Sequence, residues 1–143
     1  RRQRQMCIRD RYNIASVIEI IRNKKRPATL IIDDVETTND FCFIIACNTK
    51  YVGKGMKMAP EAVIDDGLMD LIVVKQNSRS TLLSVFPKLF NGEHISHPAC
   101  EYLKCRMFSI RSEQNDPLNI DGEIIGCAPV DVELVENGIE LLV

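Results

Sequence analysis

The sequence predicts a mainly β (α+β) fold, an antiparallel β-sandwich with one or two helices. Three observations carry that expectation. Short apolar runs recur from Ala28 to the C-terminus, set apart by turn signals such as Asp121-Gly122 and Asn137-Gly138. Val130, Val132 and Leu134 alternate with Asp131 and Glu133, the period-two mark of a strand with one buried face. Helical spacing is confined to two stretches. About seven or eight short strands and two helices, without a repeat, a low-complexity tract or an internal linker, describe one sandwich with helical decoration.

Taken in order, Arg1 to Arg11 carry five arginines with no period and no helix cap. They read as a non-native or disordered segment of the kind left by a translated adapter, and the domain as residues 12–143. Ile14, Val17, Ile18 and Ile21 follow the spacing of an amphipathic helix, which stops in the cluster Arg22, Lys24, Lys25, Arg26 before Pro27. Cations there complement the helix dipole, which gives the basic cluster a structural reason to exist. Ala28 to Ile32 and Phe41 to Cys47 read as a hairpin across the polar turn Glu36-Thr37-Thr38-Asn39-Asp40. A loop with Gly53, Gly55 and Pro60 leads to a strand at Leu71 to Val74. Leu82, Leu83, Val85, Phe86, Leu89 and Phe90 then cluster at helical spacing behind Ser78 or Ser80, each a candidate N-cap. Pro87 predicts a kink or a one-turn break, and Asn91-Gly92 a C-terminal stop. Leu103 to Ile110, Leu118 to Ile120, Ile124-Ile125, Val130 to Val135 and Ile139 to Val143 complete the strands.

Composition bounds the function. The chain has 143 residues, 45% hydrophobic and 27% charged, as a soluble globular domain does. Its net charge of -2 is a sum of opposites: +7 over residues 1–26, -1 over 27–111 and -8 over 112–143. Without Arg1 to Tyr12 the remainder carries -6, a balance that does not seek nucleic acid. No apolar run reaches the roughly 18 residues of a membrane span, and no apolar segment follows the N-terminal arginines to make a secretory signal. Zero Trp and three Tyr argue against an aromatic platform for single strands or sugars. Cys42 and Cys47, like Cys100 and Cys105, are five apart in strand-like runs, an odd offset that points each pair to opposite faces. With no CxxC pair, the six cysteines read as buried, reduced thiols of an intracellular protein.

Four stretches hold candidate chemistry, each with a plain structural alternative. Asp65, Asp66 and Asp70, grouped around Gly67, repel one another unless solvated or bridged by a hard cation; the alternative is an Asp-Asp-Gly turn between strands. Asp121 and Glu123 bracket Gly122, where a carboxylate can take a proton from a substrate hydroxyl; the alternative is an Asp-Gly hairpin turn. Asn48 to Pro60, with two glycines and three lysines, either lines a phosphate or is a bulged crossing, and it is neither a P-loop nor a dinucleotide fingerprint. His94 and His97 are three apart, but no acid-rich helix pairs them as metal ligands, and His97-Pro98 reads as a loop; Cys127 has no neighbouring His to make it a nucleophile.

The order of these blocks is more specific than any one of them. Asn48…Gly53-Lys54-Gly55-Met56…Ala59-Pro60 precedes Ala62…Asp65-Asp66-Gly67-Leu68-Met69-Asp70. Phe90-Asn91-Gly92-Glu93-His94…His97-Pro98 and Ile120-Asp121-Gly122-Glu123 with Pro129-Val130 follow. This resembles the C-terminal half of the diacylglycerol kinase and sphingoid-base kinase family, the lipid-kinase branch of the NAD-kinase-like superfamily. The resemblance covers roughly Tyr12 to Val143; Lys54 stands where the family often has a third Gly.

The resemblance implies a C-terminal β-sandwich domain that packs against an N-terminal nucleotide-binding domain with a Gly-Gly-Asp-Gly-Thr loop, a loop this chain lacks. It implies ATP-dependent phosphorylation of a lipid hydroxyl, on diacylglycerol or a sphingoid base, by a domain inactive without its nucleotide-binding partner. Glu123 is carried over as the proton acceptor, with Asp121 in support. Magnesium would be held by the Asp66 side chain and the carbonyls of Val63 and Leu68, while the ATP ligands would lie mainly in the other domain. Peripheral membrane contact from the cytoplasm follows from a lipid substrate, and a homodimer is admitted. The rival reading is a non-catalytic β-sandwich interaction module on the same fold. An NAD kinase shares the superfamily fold but not these motif details.

Overall fold

In a computed structural model, the described residues are 26–53, 55–75, 77–136 and 138. The predicted helix at Ile14 to Ile21, the Arg1 to Arg11 segment, Lys54 and the strand at Ile139 to Val143 lie outside them. Eight strands are seen among the described residues: β1 (Arg26–Ile32), β2 (Val35–Cys47), β3 (Met69–Lys75), β4 (Cys100–Cys105), β5 (Met107–Arg111), β6 (Pro117–Ile120), β7 (Glu123–Cys127) and β8 (Val130–Glu133). One helix, α1 (Arg79–Val85), follows β3. The fold is mainly β, and every strand pair is antiparallel.

Six strands form one hydrogen-bonded sheet in the order β4-β3-β2-β1-β5-β8. A flat sheet cannot accommodate the chain. Four strand spacings would put β4 about 19 Å from β5, yet only Arg106 separates them, so their ends are within about 8 Å. The sheet therefore folds over into two layers. The long strand β2 supplies the other corner: its first half pairs with β1, its second half with β3, and a bulge interrupts the ladder between Phe41 and Phe43. Leu30, Phe41, Met69, Leu71, Val73, Cys105 and Phe108 fill the space between the layers. A second cluster covers the outer face of β2, β3 and β4, where Cys47, Ile72, Val74 and Cys100 meet Met58, Ala59 and Ala62 of the long loop and Leu82 and Leu89 of the helical segment. β3 is thus buried on both faces, its alternate residues serving different cores.

The helical segment follows its sequence closely. Ser78 caps α1, its hydroxyl accepting the Thr81 N–H at 3.2 Å. At Phe86 the α-helix gives way to a 3₁₀ turn (Phe86–Phe90) with Pro87 in its first turn, the break that Pro87 predicts. Asn91-Gly92 ends it, Gly92 taking φ 84°.

Three local expectations are corrected. The β1–β2 turn is Asp33-Asp34, at φ 47° and 66°, not Glu36 to Asp40. Two left-handed acids make the tight turn of a right-twisted hairpin, and the polar run continues as strand, Thr29 and Thr38 sharing a hydroxyl hydrogen bond of 2.8 Å. Cys100 and Cys105 do face opposite cores, but Cys42 and Cys47 lie against the same one, because the bulge shifts the alternation by one residue. Cys127 is exposed; the five described cysteines are all free. Burial pushes the Cys47 and Cys100 thiols up to about 11, so both are protonated at neutral pH.

Candidate functional site

The residues singled out by sequence fall in two places. The acidic turn lies between the long loop and β3. Gly67 takes φ 69° there, and a Cβ on it would sit 2.9 Å from Glu136 Oε1, which itself pairs with Arg106 of the sheet corner at 3.0 Å. This turn thus docks against the corner. Asp66 folds back on it, Oδ1 accepting the Leu68 N–H at 3.0 Å and Oδ2 accepting Lys104 Nζ at 2.8 Å. The Lys104 hydrogen bond, aided by the Leu68 N–H, holds the Asp66 carboxyl below the usual range and outweighs desolvation, so it is ionised at neutral pH.

Beneath it lies a group that sequence does not single out for burial. Asp70 is fully buried, at 0% exposure. The register Asp70↔Lys104 and Ile72↔Tyr102 puts these side chains on one face of β3 and β4. Tyr102 donates its hydroxyl to Asp70 Oδ1 at 2.5 Å, Lys104 Nζ approaches the same oxygen at 3.7 Å, and Asp70 Oδ2 has no hydrogen-bond partner. Lys104 Nζ also reaches the Glu61 carbonyl at 3.4 Å. Tyr102 and Lys104 carry no motif signal. Their i, i+2 spacing gives a shared face, but only the strand pairing shows what they face.

The second place is the hairpin β6–β7. Asp121 at φ 51° and Gly122 at φ 96° make its two-residue turn, and Asn119 Oδ1 accepts the Gly122 N–H at 2.9 Å. Glycine bears the second left-handed position without a side-chain penalty, which is why Asp-Gly is the local signal. Glu123 opens β7. Its side chain makes no hydrogen bond or ion pair with any described residue, and every residue of β7 is exposed. Among the described residues the hairpin pairs with no strand of the main sheet. It is tied at its base, where Ala128 N–H donates to the Asp116 carbonyl at 2.9 Å and Arg26 Nε lies 3.5 Å from the Asp116 carboxylate. Among the described residues no hydrogen bond or ion pair joins Asp121 or Glu123 to the Asp66 turn.

The Gly-Lys loop folds on itself through a Val52↔Met56 bridge, and His94 pins it, Nε2 lying 2.9 Å from the Met58 carbonyl. Two blocks distant in sequence are one structural unit here. A cavity of about 320 Å³ elsewhere, lined by Asp33, Asp34, Met107, Asp131 and Glu133 among others, contains none of the predicted site residues.

One carboxylate and two backbone carbonyls are the hard oxygens that magnesium takes, so Asp66, Val63 and Leu68 fit it in donor type. Both Asp66 oxygens already have protein partners, however, and among the described residues no three His, Cys, Asp or Glu side chains gather as a metal cluster.

Comparison with known proteins decides the family. The profile of the YegS C-terminal NAD kinase beta sandwich-like domain matches residues 2–143. The chain belongs to this family. A diacylglycerol kinase of Staphylococcus carnosus is 35% identical over 85 residues, 59% of this chain and 28% of that protein. A diacylglycerol kinase of Mycobacterium tuberculosis is 27% identical over 137 residues, 94% of this chain and 43% of the relative. The fold of this YegS-type domain recurs in the crystal structure of a putative diacylglycerol kinase from Bacillus anthracis, with a TM-score of 0.73 at 18% identity, covering 94% of this chain and 46% of that one. The chain spans less than half the length of these relatives, and it corresponds to the C-terminal domain of the lipid-kinase family. Among the described residues no helix is long and apolar enough to cross a membrane.

Proposed function

We propose that this chain is the acceptor-side domain of an ATP-dependent lipid kinase, which transfers the γ-phosphoryl group of ATP to a hydroxyl of diacylglycerol or a sphingoid base. It works with a nucleotide-binding domain of the same protein, which supplies most of the ATP contacts. Membership of a family whose relatives are named diacylglycerol kinases carries the reading. The position of Glu123 supports it: an exposed carboxylate, without a side-chain partner among the described residues, beside a tight turn.

Glu123 accepts the proton of the lipid hydroxyl as its oxygen bonds to the γ-phosphorus, the bond to the β,γ-bridging oxygen breaks, and ADP leaves. Asp121, in the same turn, supports Glu123 in this role. Asp66, with the carbonyls of Val63 and Leu68, holds magnesium, which when bound neutralises the acidic turn and fixes its conformation. Phosphoryl transfer depends on such positioning and charge balance more than on covalent participation by the protein. A lipid acceptor brings the working enzyme to a membrane surface from the cytoplasm.

The test is labelled-phosphate transfer to diacylglycerol and sphingosine by the intact protein that contains this domain, wild type beside Glu123→Gln. Loss of a general base costs about 10²–10⁴ in rate, and a variant that keeps the wild-type rate removes Glu123 from the chemistry. A wild-type protein that phosphorylates neither lipid nor NAD overturns the kinase reading in favour of a binding module.

A further inference from the structure

Lys104 has an unusual set of neighbours for a surface lysine. Its ammonium nitrogen is surrounded by oxygens of a single segment: Asp66 Oδ2 at 2.8 Å, the Glu61 carbonyl at 3.4 Å and Asp70 Oδ1 at 3.7 Å. Two carboxylates and a carbonyl are the donors that a hard divalent cation collects. One of those carboxylates, Asp70, is wholly buried, and its second oxygen has no partner among the described residues. Burial of a carboxylate is costly unless a cation or several donors face it. Tyr102 supplies one donor and Lys104 the only cation within ion-pair reach of Asp70 among the described residues.

We infer that Lys104 is a built-in counter-cation of the acidic turn, and that it competes with a divalent metal ion for Asp66. The two cations need the same oxygens. Lys104 occupies Asp66 Oδ2, and the Leu68 N–H occupies Oδ1. A metal ion entering at Asp66 must either displace the ammonium or sit beside a like charge. Lys104 has the freedom to leave: its side chain is 30% exposed, so its head can swing into water while its stem stays on β4. The turn therefore has two closed states, one locked by lysine and one by metal. The protein folds in the first without any metal, and magnesium gains only the difference between the two. The inference rests on the reading of Asp66 as a metal ligand, but the two stand or fall on different results.

The experiment titrates magnesium chloride into the intact protein by calorimetry, for the wild type, Lys104→Met and Lys104→Arg. Thermal melts in chelator and in magnesium accompany each titration. Removing the competing charge is expected to tighten magnesium binding by at least about tenfold, the scale of changes beside a metal ligand. It should also lower the melting temperature in chelator, with magnesium restoring it. Lys104→Arg should behave as the wild type. A Lys104→Met protein that binds magnesium no more tightly than the wild type overturns the inference and leaves the magnesium reading intact. Binding by Lys104→Met alone supports the inference and removes magnesium as a resident ion of the wild type. Silence from every variant overturns both. Should Lys104→Met not fold, amine acylation of wild-type protein, read by mass spectrometry, decides instead. Magnesium must increase labelling at Lys104, and unchanged labelling overturns the inference.

Discussion

His94 shows how one buried residue sets a measurable property. It is fully buried and bonds the Met58 carbonyl through Nε2, which must therefore carry the proton. Burial lowers its pKa from the usual 6.5, outweighing the carbonyls of Met58 and Lys88, which act in the other direction. The unfolded chain thus binds a proton at pH values where the folded chain does not, so stability falls as the pH drops below about 6.5. In His94→Gln an amide N–H can replace Nε2–H without titrating. Denaturation midpoints between pH 8 and 5.5 should lose part of their slope in that variant, and an unchanged slope assigns the acid sensitivity to other groups. Sequence alone gives His94 no partner, because nothing local reveals that Met58, distant along the chain, lies against it. Asp66 and Glu123 are different. Each belongs to a glycine turn, which is a local structure, and so each could be located by inspection.

At the scale of elements, the helical segment is the most legible. Ser78, Pro87 and Asn91-Gly92 act through the residues beside them, and the cap, the break and the stop all fall where those residues place them. Ser78→Ala should remove the Thr81 N–H bond and lower stability by about 1 kcal/mol, measured by urea denaturation; no change would mean that Ser80 or water caps α1 equally well. The hairpin β1–β2 is less legible. Its turn uses two acids in the left-handed region instead of a glycine, and its second strand begins with a polar run. That run can be strand because β1 pairs with it while its side chains stay mostly exposed, whereas the apolar half of β2 pairs with β3 and packs into the cores. A one-residue bulge then changes which core each side chain enters, including that of Cys42.

Across the whole molecule, apolar burial is concentrated around β3. Leu71 is 0% exposed between the layers, whereas Ile120, Ile124 and Ile125 of the hairpin are 52%, 74% and 52% exposed. Leu71→Ala should therefore cost about 2–5 kcal/mol, while Ile124→Ala should change stability by no more than about 0.5 kcal/mol, both by chemical denaturation. Equal losses would mean that the hairpin is part of the cooperative core. Among the described residues, the hairpin that presents Glu123 is thus tied to the main sheet at its base.

The sequence by itself determined the strand-rich class, the helical segment with its cap and break, and the two turns that carry Asp66 and Glu123. These depend on period, turn chemistry and capping, which act over a few neighbouring residues. Tertiary structure alone decided that the sheet closes at Arg106, that Cys42 shares a core with Cys47, and that Lys104 and Tyr102 stand over a buried Asp70. Those facts depend on strand register, and register joins residues some 30 or more positions apart through backbone hydrogen bonds that carry no side-chain signature.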